Sequence, residues 1–205
     1  MDSIIFDLDG TIWDPIDTVL KAWNQVIIDH KGKGKELRRE DLEAVMGKQK
    51  EEIAAQLFPH LSKHEGDQLL EECFEKEQEH IENHGGRLFP NVENVLAELS
   101  KKYKLFIVSN CQDGYIESFY QFHSLDGYFI DYENPGRTGL SKGKNIALII
   151  ERNSLKSPVY VGDTDGDLQA AAYAGIPFVY AAYGFGQVEA PVQQIEAFED
   201  LLKWV

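Results

Sequence analysis

The sequence has few cysteines, a shortage of basic residues and no long apolar run. Its two cysteines, Cys73 and Cys111, lie far apart in 205 residues, which favours a reducing compartment over a disulfide-stapled secreted domain. Lys and Arg total 20 against 35 Asp and Glu, a net charge of −15, so nucleic acid and anionic membranes are unfavourable partners. No apolar stretch approaches the roughly 18 residues of a membrane span, and the N-terminus lacks signal-peptide features. We expect a soluble cytoplasmic protein, monomeric or homodimeric, with no nucleic-acid or membrane partner.

What remains is an ordinary globular composition with 43% hydrophobic residues. The length suits one domain with a modest insertion. Five short β-rich runs are predicted as strands, and most are continuously apolar, as in strands covered on both faces. Helical patterns separate the later runs, which predicts an α/β fold with a mostly parallel sheet and helices on both faces. The predicted strands span residues 4–8, 105–109, 128–131, 159–162 and 178–181.

The first connection is different, because residues 14–85 show helical patterns and no convincing strand. Asp14 is expected to cap a first helix with Pro15 at its first position, a loop is expected at 31–35, and the acid run at 71–82 is interpreted as a solvated helix face. About 70 residues are too many for a crossover helix. We therefore predict a catalytic core over 1–13 and 86–205, with 14–85 as an inserted α-helical cap.

Polar residues stand at the ends of three of the predicted strands. Asp7 and Asp9 are at the end of the first, Ser109 is at the end of the second, and Asp163 and Asp167 follow the fourth. Because ligands bind beyond the carboxyl ends of parallel strands, we expect these aspartates to cluster and to bind Mg²⁺, which prefers such oxygen ligands. The simpler interpretation is that they cap helices or fill turns, but it must account for each polar strand end separately.

These segments resemble the motifs of the haloacid dehalogenase (HAD) superfamily, in its phosphoglycolate-phosphatase-like subgroup with an α-helical cap. Asp7-Leu-Asp-Gly-Thr11 is similar to the first motif, Ser109-Asn110 to the second, Lys142 to the third, and Gly162-Asp163-(x)₃-Asp167 to the fourth. Their order and strand placement agree with that family. The resemblance implies a Rossmann-like core that carries a mobile cap.

The resemblance also implies roles for these residues. Asp7 would be the nucleophile that forms an aspartyl-phosphate, and Asp9 the general acid and base. Lys142 would place a positive charge beside Asp7, with Lys144 as the alternative lysine. Mg²⁺ would be held by Asp7, the Asp9 backbone carbonyl and Asp163.

The remaining residues would support the phosphate and the metal. Ser109 and the Asn110 amide would bind phosphoryl oxygens, while Gly10 and Thr11 shape the loop. Asp167 joins the metal set because it would steady the lysine or a metal-bound water, or else it caps the helix that follows. Lys48, in a predicted specificity loop, would reach a second anionic group of the substrate or be a surface lysine.

The expected function is a Mg²⁺-dependent phosphatase acting on a small phosphorylated metabolite such as phosphoglycolate, a sugar phosphate or a nucleotide monophosphate. Two alternatives are a phosphomutase of the β-phosphoglucomutase type and an inactive binding module on the same fold. Lys142 is followed by Gly143 where the subgroup usually has proline. This departure concerns the subgroup and leaves the chemistry unchanged.

Overall fold

The computed structural model describes residues 1–30, 34–190 and 192–204, so the loop predicted at 31–35 lies largely outside the described residues. No helix in those three ranges is both long and apolar enough to cross a membrane. The strands are β1 (Ser3–Phe6), β2 (Trp13–Asp14), β3 (Arg87–Leu88), β4 (Lys104–Val108), β5 (Phe129–Glu133), β6 (Pro158–Gly162), β7 (Phe178–Ala181) and β8 (Gln193–Ile195). The α-helices are α1 (Ile16–Asp29), α2 (Arg39–Glu43), α3 (Lys50–Leu57), α4 (Lys63–His84), α5 (Val92–Leu99), α6 (Tyr115–His123), α7 (Pro135–Thr138), α8 (Lys142–Arg152) and α9 (Asp165–Ala174).

Six of the described strands form one parallel sheet in the order β5-β4-β1-β6-β7-β8. The central strand β1 pairs with β4 on one side and β6 on the other, which sets Ile5 opposite both Phe106 and Tyr160. The predicted α/β fold is confirmed, and the five predicted strands occur within two residues of their expected ends. β8 was not predicted because its exposed Gln193 and Gln194 carry no apolar pattern.

The sheet is covered on both faces, as continuously apolar strands require. Side chains alternate along a strand, so Ile4 and Phe6 of β1 join one apolar cluster and Ile5 joins another. The first cluster includes Leu96 of α5, and the second includes Ile146 of α8. Burial on both sides is the main source of stability for such a sheet.

The described residues between β2 and β3 include the helices α1–α4. β2 and β3 pair antiparallel, with Trp13 opposite Leu88, and so bring the two ends of the helical segment together. Within it, α1 packs on α4, and the Trp23 and Phe74 rings lie 5.7 Å apart. The expectation of no strand within residues 14–85 is wrong at Asp14, which belongs to β2. The division into a core and a cap over 14–85 stays a prediction.

The first helix begins one residue later than expected. Pro15 occupies the N-cap position and Ile16 is the first helical residue. Asp14 still serves the helix start, because its Oδ1 accepts a hydrogen bond from the Ile16 N–H at 3.1 Å. Its Oδ2 accepts hydrogen bonds from the guanidinium groups of Arg39 at 2.6 Å and Arg87 at 3.1 Å. This buried aspartate therefore ties the first helix to α2 and to β3.

Candidate active site

Three neighbouring strands end at the same edge of the sheet. Because β4, β1 and β6 are adjacent and parallel, Asp7 and Asp9 after β1 meet Ser109 after β4 and Asp163 after β6. The Asp7 N–H donates to the Val161 carbonyl at 2.8 Å, which continues the β1–β6 ladder into the site. The polar strand ends thus converge in one region.

Lys142 lies between two carboxylates at this edge. Its Nζ is 3.0 Å from Asp7 Oδ2 and 2.6 Å from Asp167 Oδ1, and all three side chains are at most 5% exposed. Burial alone would lower the pKa of Lys142, but Asp167 and Asp7 raise it above its ordinary value. The amine therefore stays charged. Lys144 is exposed on the same helix, so Lys142 is the lysine that meets the aspartates.

The aspartates carry more negative charge than this lysine neutralises. Asp7, Asp163 and Asp167 each place a carboxylate oxygen within 4.8 Å of the other two. Burial and the charge of Asp167 raise the pKa of Asp7 to about 6 against the effect of Lys142. Burial, Asp167 and Asp7 raise that of Asp163 well above its usual range. Asp7 Oδ1 is buried and has no hydrogen-bond partner in the described part of the chain. An orphaned oxygen among buried carboxylates fits a hard divalent cation.

Asp163 is held by a loop that sequence reasoning did not include. Its Oδ2 accepts hydrogen bonds from the backbone N–H of Phe185 at 2.8 Å and of Gly186 at 3.3 Å. Its Oδ1 accepts from the Thr11 hydroxyl at 3.4 Å. A Cβ on Gly184 would overlap Asp163 itself, so only glycine allows this approach. The loop after β7 is thus part of the site.

Asp167 uses both of its oxygens on protein donors. Oδ1 receives Lys142, and Oδ2 receives the backbone N–H of Asp163 at 3.2 Å and the hydroxyl of Thr164 at 2.7 Å. The interpretation of Asp167 as the N-cap is wrong, because α9 begins at Asp165 and Thr164 is its cap. These contacts suit a residue that positions Lys142 and the Asp163 loop.

Asp9 has a different environment from Asp7. Its Oδ1 accepts hydrogen bonds from the indole N–H of Trp13 at 2.6 Å and from the hydroxyl of Tyr115 at 3.1 Å. Burial and the Asp7 charge raise the pKa of Asp9 to about 7, although these two donors act in the opposite direction. This polar contact of Trp13 was not predicted from the sequence. The structure therefore places a carboxyl with a near-neutral pKa beside Asp7.

The other predicted residues surround this centre at different distances. Ser109 is buried and favours the charged form of Asp7. The Asn110 side-chain amide donates to the Gly47 carbonyl at 2.9 Å, and so connects the sheet edge to the helical segment. Gly10 has φ +77° and touches Asp163, a position that excludes a side chain. Lys48 is outside the aspartate cluster, and its Nζ donates to Gln56 Oε1 at 2.6 Å.

A cavity of about 440 Å³ opens beside Asp9, between the helical segment and the sheet edge. Its wall includes Lys48, Asn110 and Glu77 of α4. Glu77 is buried, so the interpretation of the 71–82 acid run as a wholly solvated face is wrong at this residue. Burial raises the pKa of Glu77 to about 8, with hydrogen bonds from Gln112 and Trp23 opposing the shift.

A parallel sheet with a nucleophile-like aspartate, a second carboxyl and a lysine at its edge defines a hydrolase site of the aspartate-dependent class. The family model for haloacid dehalogenase-like hydrolases matches residues 4–181. The chain therefore belongs to the haloacid dehalogenase-like hydrolase family.

Two curated relatives and one solved structure illustrate the similarity. The chain is 28% identical to a phosphoglycolate phosphatase of Synechococcus elongatus, over 100% of this chain and 97% of that protein. It is 25% identical to one of Vibrio parahaemolyticus, over 91% and 86% respectively. A haloacid dehalogenase-like hydrolase from Streptococcus pneumoniae shares the fold with a TM-score of 0.86 at 19% identity, over 100% and 99% of the chains. The expected phosphoglycolate-phosphatase-like hydrolase, an enzyme of the phosphoric monoester hydrolase class, is confirmed.

Proposed function

We propose that this enzyme is a Mg²⁺-dependent phosphatase that hydrolyses a small phosphorylated metabolite through an aspartyl-phosphate on Asp7. The observation that carries the proposal is the different pairing of the two neighbouring carboxyl groups. Asp7 lies 3.0 Å from a buried lysine, which favours a carboxylate able to act as a nucleophile. In the described part of the chain, the Asp9 carboxyl accepts side-chain hydrogen bonds from two neutral donors, Trp13 and Tyr115, which leaves it able to carry a proton. One group attacks while the other transfers a proton.

In the first half-reaction, an Asp7 oxygen attacks phosphorus and the bond to the leaving oxygen breaks. Asp9 donates its proton to that oxygen, so the alcohol leaves uncharged. Lys142 keeps Asp7 ionised, and Ser109 with the Asn110 amide would bind phosphoryl oxygens. In the second half-reaction, Asp9 takes a proton from water, and the resulting hydroxide attacks phosphorus and releases phosphate and free Asp7.

The cation in this proposal would bind Asp7, Asp163 and the Asp9 backbone carbonyl. When bound, Mg²⁺ would offset the repulsion between carboxylate and phosphate and stabilise charge on the transferred group. The orphaned Asp7 Oδ1 and the buried carboxylates support it. Asp163 keeps Oδ1 available, since its contact with Thr11 is 3.4 Å long. Asp167 has short bonds on both oxygens, to Lys142 at 2.6 Å and to Thr164 at 2.7 Å, so it would act through Lys142 and the Asp163 loop rather than as a direct ligand.

The substrate belongs to the small phosphate monoesters. Phosphoglycolate is suggested by the names of the two curated relatives, and the cavity beside Asp9 would also admit a sugar phosphate or a nucleotide monophosphate. Lys48 on the cavity wall would meet a second anionic group if the substrate has one. Residues 14–85 would act as the cap over this cavity. The composition supports a cytoplasmic enzyme without a nucleic-acid or membrane partner.

The test is turnover of p-nitrophenyl phosphate with and without Mg²⁺. Asp7→Asn should lower kcat by at least about a thousandfold, because the amide is a poor nucleophile. EDTA should abolish wild-type activity, and excess Mg²⁺ should restore it. Asp126→Asn, at an exposed aspartate in a 3₁₀ turn remote from these contacts, is the matched control. Full activity of Asp7→Asn would refute the mechanism.

A further inference from the structure

Glu77 is a buried carboxyl group on the cavity wall to which the proposed reaction assigns no role. It lies on α4 and is 6% exposed, and it lines the same cavity as Asp9. Cys73 and Ile81, four residues before and after it, are buried on the same helix. Glu77 therefore lies on the inward face of α4, towards the cavity that opens beside Asp9.

The hydrogen-bond partners of Glu77 fix the position of its carboxyl group but carry no positive charge that would neutralise it. The Trp23 indole N–H donates to Oε2 at 2.5 Å, and the Gln112 side-chain amide donates to Oε1 at 3.3 Å. In the described residues, Glu77 forms no ion pair with a lysine or arginine. Each carboxyl oxygen can accept a second hydrogen bond. A buried polar oxygen that lacks a possible hydrogen bond costs free energy. A ligand that forms this hydrogen bond with Glu77 would therefore bind more tightly.

Resting on the proposed phosphatase function, we propose that Glu77 binds a hydroxyl group of a polyhydroxylated leaving group, and thereby selects a sugar or polyol phosphate. A hydroxyl suits Glu77 in either protonation state, because it donates to a carboxylate and accepts from a carboxylic acid. A second anion on the substrate would have to approach both Glu77 and Asp9. Lys48 and Lys50 also line the cavity, but they contact Gln56 and Glu71 respectively.

The size of the cavity supports the same substrate class. Its volume of about 440 Å³ falls among pockets that enclose drug-sized ligands, roughly 300–1,000 Å³. A two-carbon leaving group such as glycolate would fill little of it. Val19, Val45 and Phe74 provide apolar walls, against which the carbon skeleton of a sugar or polyol would pack while its hydroxyls meet Glu77.

The experiment compares two esters of equal chain length, sorbitol 6-phosphate and n-hexyl phosphate, with 2-phosphoglycolate as a third substrate. For the wild type, kcat/KM should favour sorbitol 6-phosphate over each of the others by about 3- to 100-fold, the range spanned by a hydrogen bond to a neutral carboxyl and one to a carboxylate. Glu77→Leu should bring the sorbitol-to-hexyl ratio towards one, and Glu77→Gln, which keeps an acceptor for Trp23, should give an intermediate ratio. Glu75→Gln, at an exposed glutamate of the same helix, should keep the wild-type ratio.

The ratio of substrates is the readout because partial unfolding lowers both rates equally. A sorbitol-to-hexyl ratio that survives Glu77→Leu overturns the proposal, as does a wild-type preference for 2-phosphoglycolate. Wild-type hydrolysis of p-nitrophenyl phosphate with Mg²⁺ is measured in the same samples. If it occurs while sorbitol 6-phosphate is inert, only the role of Glu77 fails. If p-nitrophenyl phosphate is also inert, the phosphatase function itself is refuted, and the role of Glu77 with it.

Discussion

Replacing Lys142 by methionine removes a positive charge from between two buried carboxylates. The side chain that remains has similar length, so the main loss is electrostatic. Asp7 and Asp167, which contact Nζ at 3.0 and 2.6 Å, then face each other without a cation. Removing one partner from a buried pair typically costs about 3–5 kcal/mol, because the remaining charge stays desolvated. For a chain of this size each kcal/mol lowers Tm by about 2–4 °C, so we expect a drop of about 6–20 °C.

The pH dependence of this loss follows from the pKa of Asp7. Burial and Asp167 already raise it to about 6, and Lys142 is a group that lowers it. Without Lys142, Asp7 holds its proton to higher pH in the folded protein than in the unfolded chain. The folded state of the variant then binds more protons, so its stability falls as pH rises above the unfolded value of about 4. The destabilisation should be larger at pH 8 than at pH 5.

Urea unfolding followed by circular dichroism, with EDTA in every buffer, measures this difference at both pH values. Lys144→Met is the matched control, since Lys144 is exposed two residues along the same helix. Its effect should stay within about 0.5 kcal/mol. A Lys142→Met loss below about 1 kcal/mol, or one that grows towards acid pH, would refute the assignment of Lys142 as the counter-charge of these aspartates.

Two further predictions concern the hydrogen bonds and close contacts of the site. Activity should fall above pH about 7 as Asp9 loses its proton. Tyr115→Phe removes a donor to the ionised form, so it should move this limb of the kcat/KM profile upward by about one pH unit, and an unmoved limb would contradict the role of Asp9. Gly184→Ala would force a Cβ into Asp163, and should raise the Mg²⁺ concentration for half-maximal activity by about 10- to 100-fold. Gly127→Ala, with open space around its Cβ, should change nothing, and equal effects of the two alanines would refute the steric argument.

Most of the fold could be predicted because its signals are local. The apolar runs that became β1, β4 and β6 end at the polar residues that now form the site, and parallel order follows from the helices between them. β8 escaped prediction because Gln193 and Gln194 pair through their backbones at the edge of the sheet. Backbone hydrogen bonds at the edge of a sheet do not require apolar side chains, so the side-chain pattern of such a strand does not identify it.

The contacts that set proton affinities could not be predicted in the same way. Tyr115 and Asp9 are 106 positions apart in the chain, and only the tertiary fold brings the start of α6 to the residues after β1. Glu77 did leave a signal, because the spacing of Leu70, Cys73, Glu77 and Ile81 places them on one stripe of α4. An acidic residue on an otherwise apolar stripe of a helix is a candidate for a buried carboxyl group. The high acidic content of α4 as a whole instead indicated an exposed face, so this feature of Glu77 was overlooked.

The short ribbon of β2 and β3 has a consequence for proton transfer. Trp13 lies in the strand through which the chain passes from the sheet edge into the four helices, and its indole N–H bonds to Asp9 at 2.6 Å. We expect any movement of this ribbon relative to Asp9 to change the strength of that bond. Because the bond favours the ionised form of Asp9, ionisation of Asp9 would by thermodynamic reciprocity favour the position of the ribbon in which the bond is intact. The position of the ribbon and the proton on Asp9 would thus be linked equilibria, joined through a single indole ring.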